Sequence, residues 1–128
     1  MVRLKTGVSL DYCRPEVYYI VWKAAPIWTV LGSTDLWITG ANESGHSTGP
    51  RGFHRLPNGT CQALDLRTWT IPRFSDRRLA RDALAAALGP AYDVLFETEL
   101  RDPITGRITR GEHMHVQFDP ERPGTKGV

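Results

Sequence analysis

The chain has 128 residues, of which 41% are hydrophobic and 23% charged, a composition typical of an ordinary globular domain. Its formal net charge of +2 is too small to favour nucleic acid as a partner, although it would not repel an anionic cell-wall polymer. No run approaches the roughly 18 apolar residues of a membrane span, and the first residues lack the apolar stretch of a secretory signal. We therefore expect a monomeric protein made in the cytoplasm, with one domain over 1–119 and a flexible tail over 120–128.

The first part of the chain predicts one helix and one strand. Pro15 suits the first position of a helix over residues 15–31, because its backbone angle is already helical. Pro26 should kink or end that helix, because proline lacks the amide hydrogen that a helix interior needs. Residues 35–39 have the apolar and β-branched side chains of a short strand. The apolar residues of the helix recur at helical spacing, at Val17, Ile20, Val21 and Ala24.

A long loop separates these elements from the next pair. Residues 40–59 are dense in Gly, Ser, Pro and Asn, and loops of this length are usually functional or disordered. Residues 61–67 alternate between faces and predict a strand. Ser75 is a candidate N-cap for a helix through Leu88, which Gly89-Pro90 should terminate. The apolar stripe of this helix is predicted at Leu79, Ala83, Leu84, Ala87 and Leu88.

The last part of the chain predicts an antiparallel hairpin. Its strands are residues 92–97 and 112–118, and the segment Asp102–Gly106 has the composition of a turn. Helices and strands do not alternate strictly along the chain, which favours the α+β class over a parallel doubly wound sheet. We therefore expect a small α+β domain in which helices pack on an antiparallel sheet.

The two cysteines, Cys13 and Cys61, would allow one disulfide by count. A chain without an export signal usually keeps its thiols reduced, so two thiols are expected, and whether they pair stays open. Since the two residues are far apart in sequence, they do not form the closely spaced pair of a cysteine-rich zinc site.

The histidines suggest a metal site. Residues two apart on a strand share a face, so His113 and His115 should point the same way. Asp65 lies on another predicted strand, and His54 lies in the loop before it. Two histidines and one carboxylate would supply three zinc ligands and leave a fourth position for water, as in catalytic zinc sites. The fourth histidine, His46, also lies in the loop.

Two segments resemble the motifs of a known family. The first runs from Gly52 to Thr68 and reads GFHRLPNGTCQALDLRT, and the second runs from Gly111 to Pro120 and reads GEHMHVQFDP. They resemble the zinc D-alanyl-D-alanine carboxypeptidases and L-alanyl-D-glutamate endopeptidases, whose fold is shared with the Hedgehog signalling domain. The resemblance covers about residues 37–120. The motif histidine and aspartate are usually seven residues apart, so the spacing between positions 54 and 65 implies a longer loop, which costs little chain entropy.

The resemblance implies a ligand set and a general base. His54, Asp65 and His115 would hold one zinc ion, and Glu112, three residues before the last ligand, would be the base. On a regular strand this spacing puts two side chains on opposite faces, so a bend, bulge or strand start near Gly111-Glu112 is predicted to turn the carboxylate back to the metal. Glu97, at the end of the neighbouring predicted strand, is a rival that needs no bend.

Further residues are candidates for contacts with the substrate. His113 should face the site and donate to an oxyanion. The family often has an arginine that polarises the scissile carbonyl, and this chain lacks it at the matching position. Arg51, Arg55 or His113 could supply that positive charge, and His46 could line the substrate groove.

The resemblance implies a phage-type, single-domain peptidase that cuts a peptidoglycan stem peptide or a D-amino-acid peptide. Without its own signal, such an enzyme would reach the wall after release by a holin or as a virion component. A zinc-bound module without activity, a cytoplasmic D-alanyl-D-alanine dipeptidase and a metal-free virion protein are the alternatives. The bond could be D-Ala–D-Ala, L-Ala–D-Glu or a cross-bridge bond, and the sequence does not choose among them.

Overall fold

The computed structural model describes residues 1–42 and 61–120. Most of the predicted loop and the predicted tail lie outside these ranges, so neither prediction is tested. In the described ranges, none of the helices has the length and apolar character needed to cross a membrane. The elements in chain order are β1 (Val2–Leu4), α1 (Pro15–Val30), β2 (Leu36–Gly40), β3 (Ala63–Leu66), α2 (Phe74–Leu88), β4 (Tyr92–Glu97), β5 (Leu100–Arg101), β6 (Ile108–Arg110) and β7 (His113–Phe118).

The main sheet is mixed, whereas the sequence predicted an antiparallel sheet. Its strand order is β1-β2-β3-β7-β4, and every neighbouring pair is antiparallel except β1 and β2. Strands β1 and β2 run parallel because α1 connects them and brings the chain back to the end of the sheet at which β1 began. Strand β1 was not predicted; it has three exposed residues at the sheet edge. The α+β class is confirmed.

Both helices pack on the sheet, and the core lies between them and the strands. Alternate residues of the strands contribute to this core, because successive strand side chains point to opposite faces. Trp28 of α1 is fully buried, and its indole Nε1–H donates to the Arg67 carbonyl at 2.8 Å, which satisfies the polar atom. The largest fully buried strand residues are Ile38, Leu64, Leu66, Val94, Met114 and Val116.

Helix α1 continues through Pro26 to Val30, so the expected end at Pro26 is wrong, and the expected kink stays a prediction. Pro15 occupies the predicted first turn. A proline inside a helix removes the hydrogen bond to the carbonyl four residues earlier, which here belongs to Trp22. Pro26 and Trp22 are both exposed, so water can solvate the carbonyl that loses its partner.

Helix α2 is rotated relative to the predicted stripe. It begins at Phe74, one residue before the predicted cap, and Arg73 at the N-cap makes no side-chain capping bond. Leu79 is 55% exposed. The helix ends at Gly89 as predicted, where φ is 86° and a side chain would be strained. The residues that enter the core are Ala80, Leu84 and Leu88.

The predicted hairpin between residues 92 and 118 is confirmed. Strands β4 and β7 are antiparallel, with Tyr92 opposite Phe118 and Glu97 opposite His113. The chain between them forms a second, two-stranded sheet from β5 and β6. Asp102 closes the predicted turn, because its Oδ1 accepts two backbone amides at 2.7 and 3.0 Å.

The two cysteines lie opposite each other. Cys13 and Cys61 form an isolated parallel bridge between chain segments outside the strands. Cys13 is partly buried and Cys61 is fully buried, and whether they pair stays a prediction.

Candidate metal centre

The face of the main sheet that points away from the helices carries the predicted site. Successive strand residues alternate between faces, so the residues between the core positions of β3, β4 and β7 share this opposite face. The strand register places Asp65 opposite His115 and Glu97 opposite His113. The polar residues of this face on the three strands are Asp65, Asp93, Glu97, His113, His115 and Gln117.

Asp65 and His115, two of the three predicted ligands, are in direct contact. Asp65 Oδ1 lies 3.1 Å from His115 Nδ1, and the His115 residue is 8% exposed. Burial lowers the pKa of His115, but the hydrogen bond and negative charge of Asp65 outweigh burial and hold this pKa above its ordinary 6.5. A hydrogen bond to Gln117 adds to the increase. In this pair, the imidazole nitrogen Nδ1 and the carboxylate oxygen Oδ1 therefore face each other.

A buried amide orients the other side of the His115 ring. His115 Nε2 is 2.7 Å from Gln117 Oε1, and Gln117 Nε2 donates to Asp93 Oδ2 at 2.9 Å. Gln117 is 2% exposed and Asp93 is 5% exposed. An acceptor at Nε2 keeps the proton on that nitrogen and leaves Nδ1 available for a metal, as second-shell partners of metal-bound histidines commonly do.

His113 and Glu97 extend the site along the same face. His113 Nε2 lies 3.4 Å from Glu97 Oε1 and 3.9 Å from Asp65 Oδ1. The other Glu97 oxygen accepts from Arg110 at 2.9 Å, which fixes the carboxylate beside the histidine. Both side chains are partly exposed, so a ligand can approach them.

Glu112 does not turn towards this site. Its Oε1 accepts from Thr68 Oγ1 at 2.6 Å, and both of its oxygens accept from Arg77 of α2 at 3.1–3.2 Å. Glu112 therefore lies on the helix side of the sheet, opposite His115, as the odd spacing on a regular strand requires. A strand start does lie next to Gly111-Glu112, since β7 begins at His113, but it does not turn the Glu112 carboxylate back towards His115.

The separation of Asp65 and His115 is that of an ordinary hydrogen bond and is also compatible with two ligands of one zinc ion. At zinc–ligand distances of about 2.0–2.1 Å, two ligand atoms of a tetrahedral site lie roughly 3.3 Å apart. The observed separation of 3.1 Å between Asp65 Oδ1 and His115 Nδ1 is close to this value. Within residues 1–42 and 61–120, no group of three or more potential ligands is arranged to hold a metal. A full site needs a donor from elsewhere in the chain.

The remaining predicted site residues lie outside the described ranges. These are the third predicted ligand and the three candidates for substrate contacts, namely His54, His46, Arg51 and Arg55. Their predicted roles stay predictions.

Three residues of the site were not predicted from the sequence. Gln117 could have been found, because it lies two residues after His115 on the same strand face. Asp93 reaches the site only through pairing of β4 with β7, which places it opposite Gln117. Arg110 approaches Glu97 through the inserted β5–β6 hairpin, for which a single sequence gives no register.

No protein-family model matches the chain, and neither the curated proteins nor the solved structures give a significant match. The function is therefore argued from the residues of the site.

Proposed function

We propose that this protein is a zinc-dependent peptidase that hydrolyses a peptide bond in bacterial peptidoglycan. Asp65 and His115 hold the zinc ion together with His54, and Glu97 is the general base. The observation that carries the proposal is the 3.1 Å contact between Asp65 Oδ1 and His115 Nδ1, with the second nitrogen of His115 oriented by Gln117.

Each side chain of the face has a defined task in this reaction. When bound, zinc lowers the pKa of a coordinated water and polarises the scissile carbonyl. Glu97 Oε1 takes the proton of the attacking water and returns it to the leaving amine, so one carboxylate serves as base and then as acid. His113 Nδ1 donates to the Gly111 carbonyl at 2.9 Å, so the doubly protonated ring would donate from Nε2, 3.4 Å from Glu97 Oε1, to the developing oxyanion. Arg110 keeps Glu97 in place.

Glu97 replaces Glu112 as the proposed base because of what each carboxylate contacts. Glu97 lies beside His113 on the face that carries Asp65 and His115. Glu112 is held by Arg77 and is 12% exposed, so it has neither the position nor the freedom to reach a substrate there.

Metal analysis tests the ligands. Protein purified without chelator should contain about one equivalent of zinc, and His115→Ala or Asp65→Asn should lose it. Gln117→Leu keeps all ligands and removes the orienting acceptor, so zinc should bind about 10- to 100-fold more weakly. Full zinc content in His115→Ala would refute the ligand assignment.

Turnover tests the base with three matched carboxylates. Glu97→Gln should retain zinc and lose about a hundredfold to ten-thousandfold in the rate of peptidoglycan digestion. Glu99→Gln changes an exposed carboxylate two residues away that pairs with Arg101, and it should digest normally. Glu112→Gln should also keep its rate, although it weakens a contact with α2. Loss of activity in Glu112→Gln, with Glu97→Gln unaffected, would show that Glu112 is the general base.

The products identify the reaction. Mass spectrometry of digested peptidoglycan would reveal new chain ends at the bond that is cut. Hydrolysis of free D-alanyl-D-alanine with intact wall material would indicate a dipeptidase instead. Zinc binding without any turnover would indicate a binding module.

A further inference from the structure

Arg67 lies on the same sheet face as the proposed zinc ligands and contacts two indole rings. Its guanidinium carbon is 4.8 Å from the ring centroid of Trp37 and 4.7 Å from that of Trp69. Trp37 lies on this face because its strand neighbours, Leu36 and Ile38, enter the core. The contacts hold the guanidinium plane near the aromatic surfaces and leave the N–H groups at its edge.

The backbone of Arg67 is anchored on two sides. Its amide donates to the Trp37 carbonyl at 2.9 Å, and its carbonyl accepts from the buried Trp28 indole at 2.8 Å. The side chain therefore projects from a fixed point, so less conformational entropy is lost when a ligand orders it.

The guanidinium has donors but no acceptor among residues 1–42 and 61–120. It makes no ion pair or hydrogen bond with any of them, whereas other arginines of these ranges do. Trp69 is 56% exposed and Arg67 is partly exposed, so the donors are accessible. The arginines that have side-chain acceptors are Arg3, Arg14, Arg77, Arg81, Arg101 and Arg110.

The distance between Arg67 and the zinc ligands is set by the strand. Arg67 directly follows β3, two residues after Asp65, and two residues of extended chain span about 6.6–6.8 Å. An extended peptide advances about 3.3–3.6 Å per residue. A group bound by Arg67 is therefore one or two residues from a peptide bond that lies against Asp65 and His115.

We propose that Arg67, held by Trp37 and Trp69, binds a carboxylate of the substrate that lies one or two residues from the scissile bond. A planar guanidinium with accessible edge donors matches a carboxylate in a two-pronged hydrogen bond. This inference rests on the proposed function for the place of the scissile bond, and the carboxylate subsite itself rests on Arg67 alone.

The subsite narrows the choice of bond. D-Ala–D-Ala has its terminal carboxylate one residue beyond the cut, and L-Ala–D-Glu has the α-carboxylate of D-glutamate at the same remove. A bond inside an uncharged cross-bridge offers no such group. Both remaining bonds offer Arg67 a carboxylate. In D-Ala–D-Ala this carboxylate is the C-terminus of the peptide, whereas in L-Ala–D-Glu it is not.

Calorimetric titration with matched ligands tests the subsite. One pair is N-acetyl-D-alanyl-D-alanine and its C-terminal amide, and the other is N-acetyl-L-alanyl-D-glutamate γ-methylamide and its α-amide. Titrations use the protein as purified, with Glu97→Gln to prevent turnover. For one pair, the acid should bind on the order of 10- to 100-fold more tightly than the amide, as expected for a hydrogen bond to a charged group.

Variants assign that preference to the guanidinium. Arg67→Gln should remove the preference for the acid, and Arg67→Lys should restore only part of it, because an ammonium lacks the planar fork. Arg78 is the matched control: it lies 5.6 Å from the Phe74 ring and 5.8 Å from the Phe96 ring on the helix side. Arg78→Gln removes a similar stacked cation and should keep the full preference.

The outcomes separate this inference from the proposed function. Equal binding of acid and amide by unsubstituted Arg67 overturns the subsite, even if the enzyme digests wall material. A preference that persists in Arg67→Gln also overturns it. If the preference depends on Arg67 but no peptide is hydrolysed by the native protein, the subsite stands and the peptidase proposal fails. The comparison of acid with amide uses one protein, so it decides even if a variant folds poorly.

Discussion

At the scale of single residues, the protonation of His115 depends on its neighbours. One ring nitrogen faces the Asp65 carboxylate and the other faces the Gln117 carbonyl oxygen. In metal-free protein both neighbours are acceptors, so the doubly protonated ring satisfies both, which is why the His115 pKa lies above 6.5. A zinc ion would take the place of the proton on Nδ1.

This raised pKa predicts how stability depends on pH. The folded-state pKa of His115 exceeds the unfolded value of about 6.5, so its contribution is complete below 6.5 and is lost as pH rises through the folded pKa. The free energy of unfolding of metal-free protein should fall across that window, by about 1.4 kcal/mol for each unit of pKa increase. Urea titrations at several pH values measure this change.

Asp65→Asn is the control for that titration, because it removes the charge that raises the pKa. The fall in stability above pH 6.5 should then become small. The zinc affinity of the native protein should instead rise with pH, because protons compete with zinc for His115. A metal-free protein whose stability rises above pH 6.5 would contradict the assignment.

The sequence predicted part of the site, and strand pairing explains the rest. The two-residue period of a strand was enough to place His113 and His115 on one face. The same period places Glu112, three residues before His115, on the opposite face, and the structure has it on the helix side next to Arg77. The partnership of Glu97 with His113 depends on register between strands, which local sequence does not specify.

At the scale of elements, α1 and α2 differed from expectation for the same reason. Local rules say what a proline or an apolar stripe prefers, but packing decides which face of a helix is buried. Pro26 is tolerated because its side of α1 faces water. In α2 the buried positions are every fourth residue from Ala80, so Leu79 stays exposed. The strands were easier to predict, because alternation directly reports a buried face.

The exposed position of Pro26 leads to a stability prediction. Pro26→Ala should stabilise the protein by roughly 1–2 kcal/mol, because the restored amide can donate to the Trp22 carbonyl. This net value already includes the loss that comes from a more flexible unfolded chain without the proline. Pro15→Ala is the control at the first helical position, where no such bond is gained, and it should be neutral or slightly destabilising. Thermal unfolding of the two variants measures the difference. Equal shifts would show that the missing hydrogen bond is not what matters.

At the scale of the whole molecule, β7 joins the site and the core. Its odd-numbered residues carry the proposed site, and its even-numbered residues Met114 and Val116 are fully buried. A change on one face of this strand therefore affects the other through the shared backbone.

Truncation of Met114 tests the importance of this strand for stability. Met114→Ala should cost about 2–5 kcal/mol, because it leaves a cavity beneath two neighbouring strands. Ile104→Ala, at a side chain that is 92% exposed in the β5–β6 turn, should change stability by less than about 0.5 kcal/mol. Urea midpoints at an unchanged slope measure both. A Met114→Ala midpoint close to that of Ile104→Ala would mean that β7 is not a central part of the core.

The position of β7 also has a consequence for the order of assembly. It is the last described strand in the chain, yet it fills the gap between β3 and β4. Until it leaves the ribosome, those two strands have open edges and the helices cover an incomplete sheet, so contacts distant in sequence must close last. A nascent chain halted before His113 would display unpaired strand edges suited to chaperones or to aggregation. The proposed site would form only when β7 is in place, so a partly synthesised chain would lack the proposed activity.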